Sequence, residues 1–172
     1  MLFLIFINDI VDEIQCNIIL FADDTSLYIV VKDAYEAAIK LNTDTEEIYE
    51  WSTRWQVNFN PKRSKAMTIS INSNKPHHPP VYMNGTIIDE VESHKHLGLF
   101  FHEDGNWHVH VNHIIDKVTP RLNVFRTLKF KLQRNHLQVI CFSFIRPLLE
   151  YADIIWDNIP EYLRDKLESI QI

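Results

Sequence analysis

The chain has 172 residues, 46% of them apolar, a net charge of −6 and only three glycines. That suits one ordinary domain or two small lobes with a buried core, and it excludes a disordered tail. Cys16 and Cys141 sit in apolar runs without a CxxC pair, which argues against a disulfide framework. They read as buried free thiols of a reducing compartment, so the protein is expected inside the cell, in cytoplasm or nucleus, and not secreted.

The opening run 1–7 is far shorter than the roughly 20 residues of a membrane span. It has no basic residue before it and no small-residue cleavage site after it, so it is a poor signal peptide, and no membrane partner is expected. With residues 8–14 it reads as the end of a buried helix whose beginning is missing, which makes Met1 an internal methionine or a truncation point. Residues 17–22 and 25–31 are strand-like, and only Asp23-Asp24 separates them, which predicts a two-residue hairpin loop. Asp tolerates positive φ, so the turn needs no glycine.

Asp33 and Glu36 form a capping-box-like start to a long amphipathic helix. Its apolar positions recur at three and four from Ala34 to Trp55, and its other face is acidic and polar. Asn60-Pro61 ends it, 66–71 is a strand, and a polar Pro-rich loop covers 72–80. Residues 81–83 and 86–88 flank Asn84-Gly85, a strong hairpin signal. One more strand spans 96–101. Asp104-Gly105 then turns the chain, and Asn106 is expected to cap a helix starting at Trp107. Helices are predicted at 107–118, 121–130, 134–150 and 160–170, with Pro120, Pro147 and Pro160 as breaks or kinks. The fold class is therefore α+β: a mixed lobe, 1–105, followed by an all-helical lobe, 106–172.

Charge divides along the same line. Residues 1–50 carry eleven acids against two bases, a balance of −9, whereas 116–150 carry seven bases against two acids. Either one part is suited to hold cations and the other to touch phosphates, or both are ordinary solvated helix faces. The chemistry-bearing feature is apolar strand, Asp23-Asp24, apolar strand. Adjacent side chains of a strand point to opposite faces, but at a hairpin turn two carboxylates can converge. Their repulsion and desolvation cost are relieved by a hard divalent cation such as Mg²⁺; on these two residues alone a solvent-exposed polar turn is the competing reading.

The segment Phe21-Ala22-Asp23-Asp24, set between Ile19-Leu20 and Thr25-Ser26-Leu27-Tyr28, resembles the aromatic-x-Asp-Asp box of reverse transcriptases. Other landmarks follow in the order of the non-LTR (LINE-type) retrotransposon enzymes. These are the Leu-rich segment to Ile10, Trp51 and Trp55 with Asn58, Asn60 and Pro61 through Lys65, then His96-Leu97-Gly98-Leu99 with Trp107 and His110. Arg146-Pro147, Glu150-Tyr151 and Trp156 close the series. The resemblance implies the C-terminal part of a palm, then a primer-grip hairpin and a thumb. It implies Mg²⁺ or Mn²⁺ on Asp23 and Asp24, two-metal nucleotidyl transfer, and an RNA template, a DNA primer and deoxynucleotides as partners of the intact parent.

The chain departs from the family in two respects. An upstream metal-binding aspartate, the fingers and a Gln-Gly segment are missing, so the metal site is incomplete and little or no catalysis is expected. Arg63 and Ser64 stand where the family has a lysine and a threonine. Arginine is a poor acid, which leaves Lys62 or Lys65 to supply the proton, or the stretch is simply a basic surface loop.

Phe21 either packs beneath the turn or meets the primer. Gly98 permits close backbone approach or a bulge, and Trp107 belongs to the core at the joint. Lys117, Arg121, Arg126, Lys129 and Lys131 are candidate contacts to a nucleic-acid backbone. A nucleic-acid-binding remnant without activity is the competing reading. A doubly wound α/β domain fits neither the hairpin nor the helical second half. Histidines 94, 96, 102, 108, 110 and 113 invite a zinc reading, but no cysteine or second spaced pair completes four ligands.

Overall fold

A computed structural model describes residues 5–71 and 77–170. The first four residues of the opening run and most of the 72–80 loop lie outside these. The chain mixes helices with two-stranded sheets, as an α+β sequence should, and forms two compact units. One comprises Met1–Thr68 with Asn72–Glu92, the other Ile69–Ile71 with Ser93–Ile172. The boundary thus falls ahead of the 93–102 hairpin, which packs with the helices that follow it.

In the first unit the expected helix end is a 3₁₀ turn, Asn8–Val11. Strands β1 (Asn17–Phe21) and β2 (Asp24–Tyr28) pair antiparallel, with Asn17 opposite Tyr28 and Phe21 opposite Asp24. The two-residue loop is therefore Ala22-Asp23, one residue earlier than the sequence suggests. Ala22, not an aspartate, carries the positive φ, +53°. Side chains alternate across the hairpin. Ile18, Leu20 and Leu27 face a core built on Ile7, Ile10, Ile48 and Trp51, and that pull of three apolar residues sets the register.

Helix α1 (Ala34–Trp55) lies against this core. Asp33 caps it by accepting a hydrogen bond from the Tyr35 backbone N–H at 3.1 Å. The reciprocal arm of a capping box is not made, because Glu36 pairs with Lys40 at 2.6 Å. Nor is the acidic side of α1 wholly solvated. Asp44 is completely buried, and its two oxygens accept from the Gln15 and Cys16 N–H groups at 3.0 and 2.7 Å. Burial, with the Asp44 carboxylate next, pushes the Cys16 thiol up to about 12. Further along α1, Asn42 donates to the Pro80 carbonyl and accepts from the Tyr82 N–H, while the Thr45 hydroxyl donates to the Tyr82 carbonyl at 2.7 Å.

The strand expected at 66–71 reduces to β3 (Lys65–Ala66). Among the described residues its strand partner is β6 (Asp89–Glu90), in parallel, and past that pairing the Ser70 N–H donates to the Glu103 carbonyl at 2.8 Å. Between them β4 (Tyr82–Met83) and β5 (Thr86–Ile87) form the expected hairpin. Asn84 at φ +49° and Gly85 at φ +65° supply the two left-handed residues of a type I′ turn.

In the second unit the single strand expected at 96–101 is instead a hairpin, β7 (Ser93–His96) with β8 (Leu99–His102). Leu97 and Gly98 form the turn at φ +47° and +88°. Helix α2 (His108–Leu128) runs unbroken through Pro120. Its buried residues Val111, Ile114, Val118, Leu122 and Phe125 keep one stripe in phase across the proline. Asp116, whose carbonyl loses its partner, and Pro120 are both exposed, so water can satisfy that carbonyl. Asn106 is not the cap. Its N–H donates to Asp104 Oδ1 at 2.8 Å, and Trp107 is the capping position, without a side-chain bond.

The last segment is α3 (Arg134–Ile140), a π-helical turn (Cys141–Ile145) and α4 (Arg146–Leu149). The wider turn precedes Pro147, which cannot donate to a helical rung. Short helices α5 (Asp153–Trp156) and α6 (Glu161–Glu168) complete a core around Leu99, Trp156 and Leu163. Trp107 packs on that core. Among the described residues no helix is long and apolar enough to cross a membrane.

Replacing Asp44 with Ala should destabilise the first unit by about 3 kcal/mol, because two charge-assisted hydrogen bonds go and the buried Cys16 N–H is orphaned. Urea unfolding would measure the loss, and thiol labelling of Cys16 should quicken in parallel. An unchanged midpoint with unchanged labelling would remove Asp44 from its structural role.

Candidate functional site

The β1–β2 hairpin exposes the face that carries the acids. Ile19 and Phe21 on one strand lie beside Asp24 and Tyr28 on the other, and Asp23 occupies the turn between them. Asp23 and Asp24 are both exposed, so neither carries the desolvation cost of a buried pair. Phe21 does not pack beneath the turn. It is 58% exposed, directly across from Asp24. Two hard oxygen donors at a turn suit Mg²⁺ or Mn²⁺. Among the described residues no third metal-ligating side chain joins them.

The acid-rich first third is not gathered at this turn. Asp9, Asp12, Glu13 and Glu47 line a small cleft with Trp51 and Arg54. There Glu13 hydrogen-bonds Glu47 and raises its pKa. Arg63 and Lys65 are also accounted for locally. Asn60 turns the chain by accepting from the Lys62, Arg63 and Ser64 N–H groups, which leaves the Arg63 side chain exposed. Lys65 pairs with Asp89 at 2.7 Å. Neither shares a hydrogen bond or ion pair with Asp23 or Asp24 among the described residues.

The second unit carries the remaining candidates. Gly98 does permit close approach: a Cβ there would sit 2.9 Å from the Tyr151 ring. Tyr151 in turn donates its hydroxyl to the Leu97 carbonyl at 2.7 Å. Lys117, Arg121, Arg126, Lys129 and Lys131 are all exposed, but they do not form one stripe. At 3.6 residues per turn, Arg126 lies about 180° around α2 from Lys117. Arg121 rims an apolar groove of about 300 Å³ beside Val124 and Phe144, and its guanidinium donates to the Phe144 carbonyl at 3.2 Å. Arg146 is paired with Glu150 and lies over the Phe142 ring. Arg126, Lys129 and Lys131 have no ion pair among the described residues.

The histidines separate into two groups. His110 is buried, its Nδ1 accepting from the Phe100 N–H at 3.4 Å and its ring set edge-on to Trp107 and Trp156. Nε2 is enclosed without a hydrogen-bond partner among the described residues. His102 and His108 instead flank Asp104. Burial draws the Asp104 pKa upward, but bonds from Asn106 and then from His102 outweigh it and hold the carboxyl down to about 2. Asp44 and Asp104 are the residues that sequence reading missed. Asp44 hides in a run of solvated acids with no local signal. Asp104 reads as a turn residue, although His-x-Asp-x-x-x-His spans a strand end, a turn and a helix start.

Compared with protein-family models, curated proteins and solved structures, the chain matches none.

Burial, then His113, lowers the pKa of His110 from 6.5, and burial, then Lys117 and Lys95, lowers that of His113. The unfolded chain therefore binds the extra protons. This stability is fully present above pH 6.5 and is lost as pH falls through the folded pKa values. The urea midpoint of the intact chain should drop between about pH 7.5 and 5.5, and less steeply in a His110→Gln variant. A pH slope identical in both proteins would exclude His110 as the titrating group.

Proposed function

We propose that the chain is the palm end and thumb of a reverse transcriptase of the non-LTR retrotransposon type, an RNA-directed DNA polymerase whose intact parent works by two-metal nucleotidyl transfer. One observation carries the reading. Adjacent carboxylates, Asp23 and Asp24, stand at the exposed tip of a tight hairpin whose other face is packed into the core beside α1. A solvated polar turn needs neither the apolar strands nor that rigid seat.

Asp23 and Asp24 would hold the divalent cation, which supplies charge for the incoming triphosphate and activates the primer hydroxyl. The chain's own part is to aim two carboxylates from a rigid turn. The partners of the parent are an RNA template, a DNA primer and deoxynucleotides. With no third carboxylate beside the pair among the described residues, this chain alone binds metal weakly and does not polymerise.

Manganese titration followed by electron paramagnetic resonance should detect weak binding that the Asp23→Ala/Asp24→Ala variant loses. Identical titrations would refute the metal reading. Primer extension in Mg²⁺ should yield no product, and robust extension abolished by Asp23→Ala would overturn the inactive-fragment reading.

A second reading, a remnant that binds nucleic acid without catalysis, is favoured by the exposed bases Arg126, Lys129 and Lys131, which lack ion pairs among the described residues. Binding to an RNA–DNA duplex should then weaken roughly 10-fold or more as salt rises from about 50 to 200 mM, because each neutralised phosphate releases counterions. Binding indifferent to salt would argue against a backbone contact.

A further inference from the structure

Outside the Asp23-Asp24 turn, one cluster in the second unit combines donors of the right kind at the right range. A ring nitrogen from His102, another from His108 and a carboxylate oxygen of Asp104 all lie within 4.8 Å of one another. We propose that His102, Asp104 and His108 bind a divalent transition-metal ion of the zinc class.

The seats of the three side chains are fixed by the fold. His102 is the last residue of β8, paired with Ser93. The chain then reverses sharply, with the Gly105 N–H donating to the His102 carbonyl at 2.9 Å and Gly105 itself at φ +72°. His108 opens α2, so strand end and helix start are brought together by five intervening residues. Asp104 sits in the reversal with its carboxylate between the rings, Oδ1 at 2.7 Å from His102 Nδ1 and Oδ2 at 3.7 Å from His108 Nδ1. The Asn106 N–H donates to Oδ1. It is the outer bond that orients a ligating carboxylate.

Bond lengths of about 2.0–2.1 Å to nitrogen and oxygen place tetrahedral donors about 3.3 Å apart. The spacings of 2.7 and 3.7 Å, one to each Asp104 oxygen, straddle that value, and with all three donors within 4.8 Å of one another side-chain rotations can bring them to it. The 3.3 Å approach of the Asp104 N–H to His102 Nδ1 gives way when that nitrogen turns to a metal. Two imidazoles and one carboxylate favour zinc, nickel or copper over magnesium and calcium. The side chains are 19–36% exposed, which leaves a coordination position open to water. The N-terminus of α2 opposes a cation, and the Asp104 carboxylate offsets it. His110 is excluded as a ligand by its burial, and its Nδ1 already accepts from Phe100.

Cobalt(II) titrated into the full chain is the test, because its visible bands report coordination geometry. One equivalent should bind with a four-coordinate spectrum, and zinc should displace it. His102→Gln/His108→Gln should weaken binding by roughly 100-fold. Asp104→Asn, which can still accept from Asn106, should weaken it by roughly 10-fold. His77→Gln/His78→Gln should leave it unchanged. Zinc should also raise the thermal midpoint of the parent chain but not of the double variant, whose fold circular dichroism would verify. Unsaturable, six-coordinate binding, or full affinity in the double variant, would overturn the site, as would loss of binding in the His77/His78 variant instead.

Discussion

A carboxylate removed entirely from water organises the first unit. Asp44 projects from α1 and receives the two N–H groups immediately ahead of β1. An unpaired buried carboxylate would be far too costly, so this arrangement tolerates little displacement. Because the two bonds fix where β1 begins, they also fix where it ends and therefore where Ala22 and Asp23 turn. A slip of one residue would exchange Ile18, Leu20 and Leu27 for Ile19, Phe21 and Tyr28 on the core face, and it would carry Asp24 to the wrong side. Asn42 and Thr45 hold the 82–87 hairpin to the same helix. One helix thereby seats two hairpins through polar side chains that its apolar stripe does not reveal.

The second unit relies on packing more than on buried charge. Its stripe from Val111 to Phe125 runs through a proline that removes one hydrogen bond and leaves the core contacts intact. Helix geometry here follows burial, since the missing rung faces water and the apolar contacts face inward. The same logic accounts for the π turn ahead of Pro147, where the backbone widens while Ile145 stays buried.

The sequence reveals features with a local signature. Asn84-Gly85 announces its turn because only a few residues accept two consecutive left-handed conformations, and the three-and-four spacing of α1 announces its buried side. Features that depend on distant partners stay hidden. Residues 66–71 have strand composition, but among the described residues the strand pairing there is confined to Lys65–Ala66. The Leu97-Gly98 turn looks like mid-strand until Tyr151 is seen to press on it from far along the chain. The paired aspartates are legible as a candidate site, although their turn is off by one because Ala22 takes a conformation that local preference would assign elsewhere. Asp104 could not be read as a ligand before the strand end and the helix start were known to meet.

The bond from Tyr151 to the Leu97 carbonyl spans 54 residues, and this separation orders events in time. A chain made at about 5–20 residues per second presents Leu97 and Gly98 on the order of 3–10 s before Tyr151 exists. Over that interval the 93–102 ribbon lacks the ring that presses on its turn, and a two-stranded hairpin is marginal in water until α2 packs against it. The Tyr151 contact therefore forms late, after α2 has been made and can already pack against β8, and the closing of that long loop is the step expected to set the pace at which the second unit completes its fold.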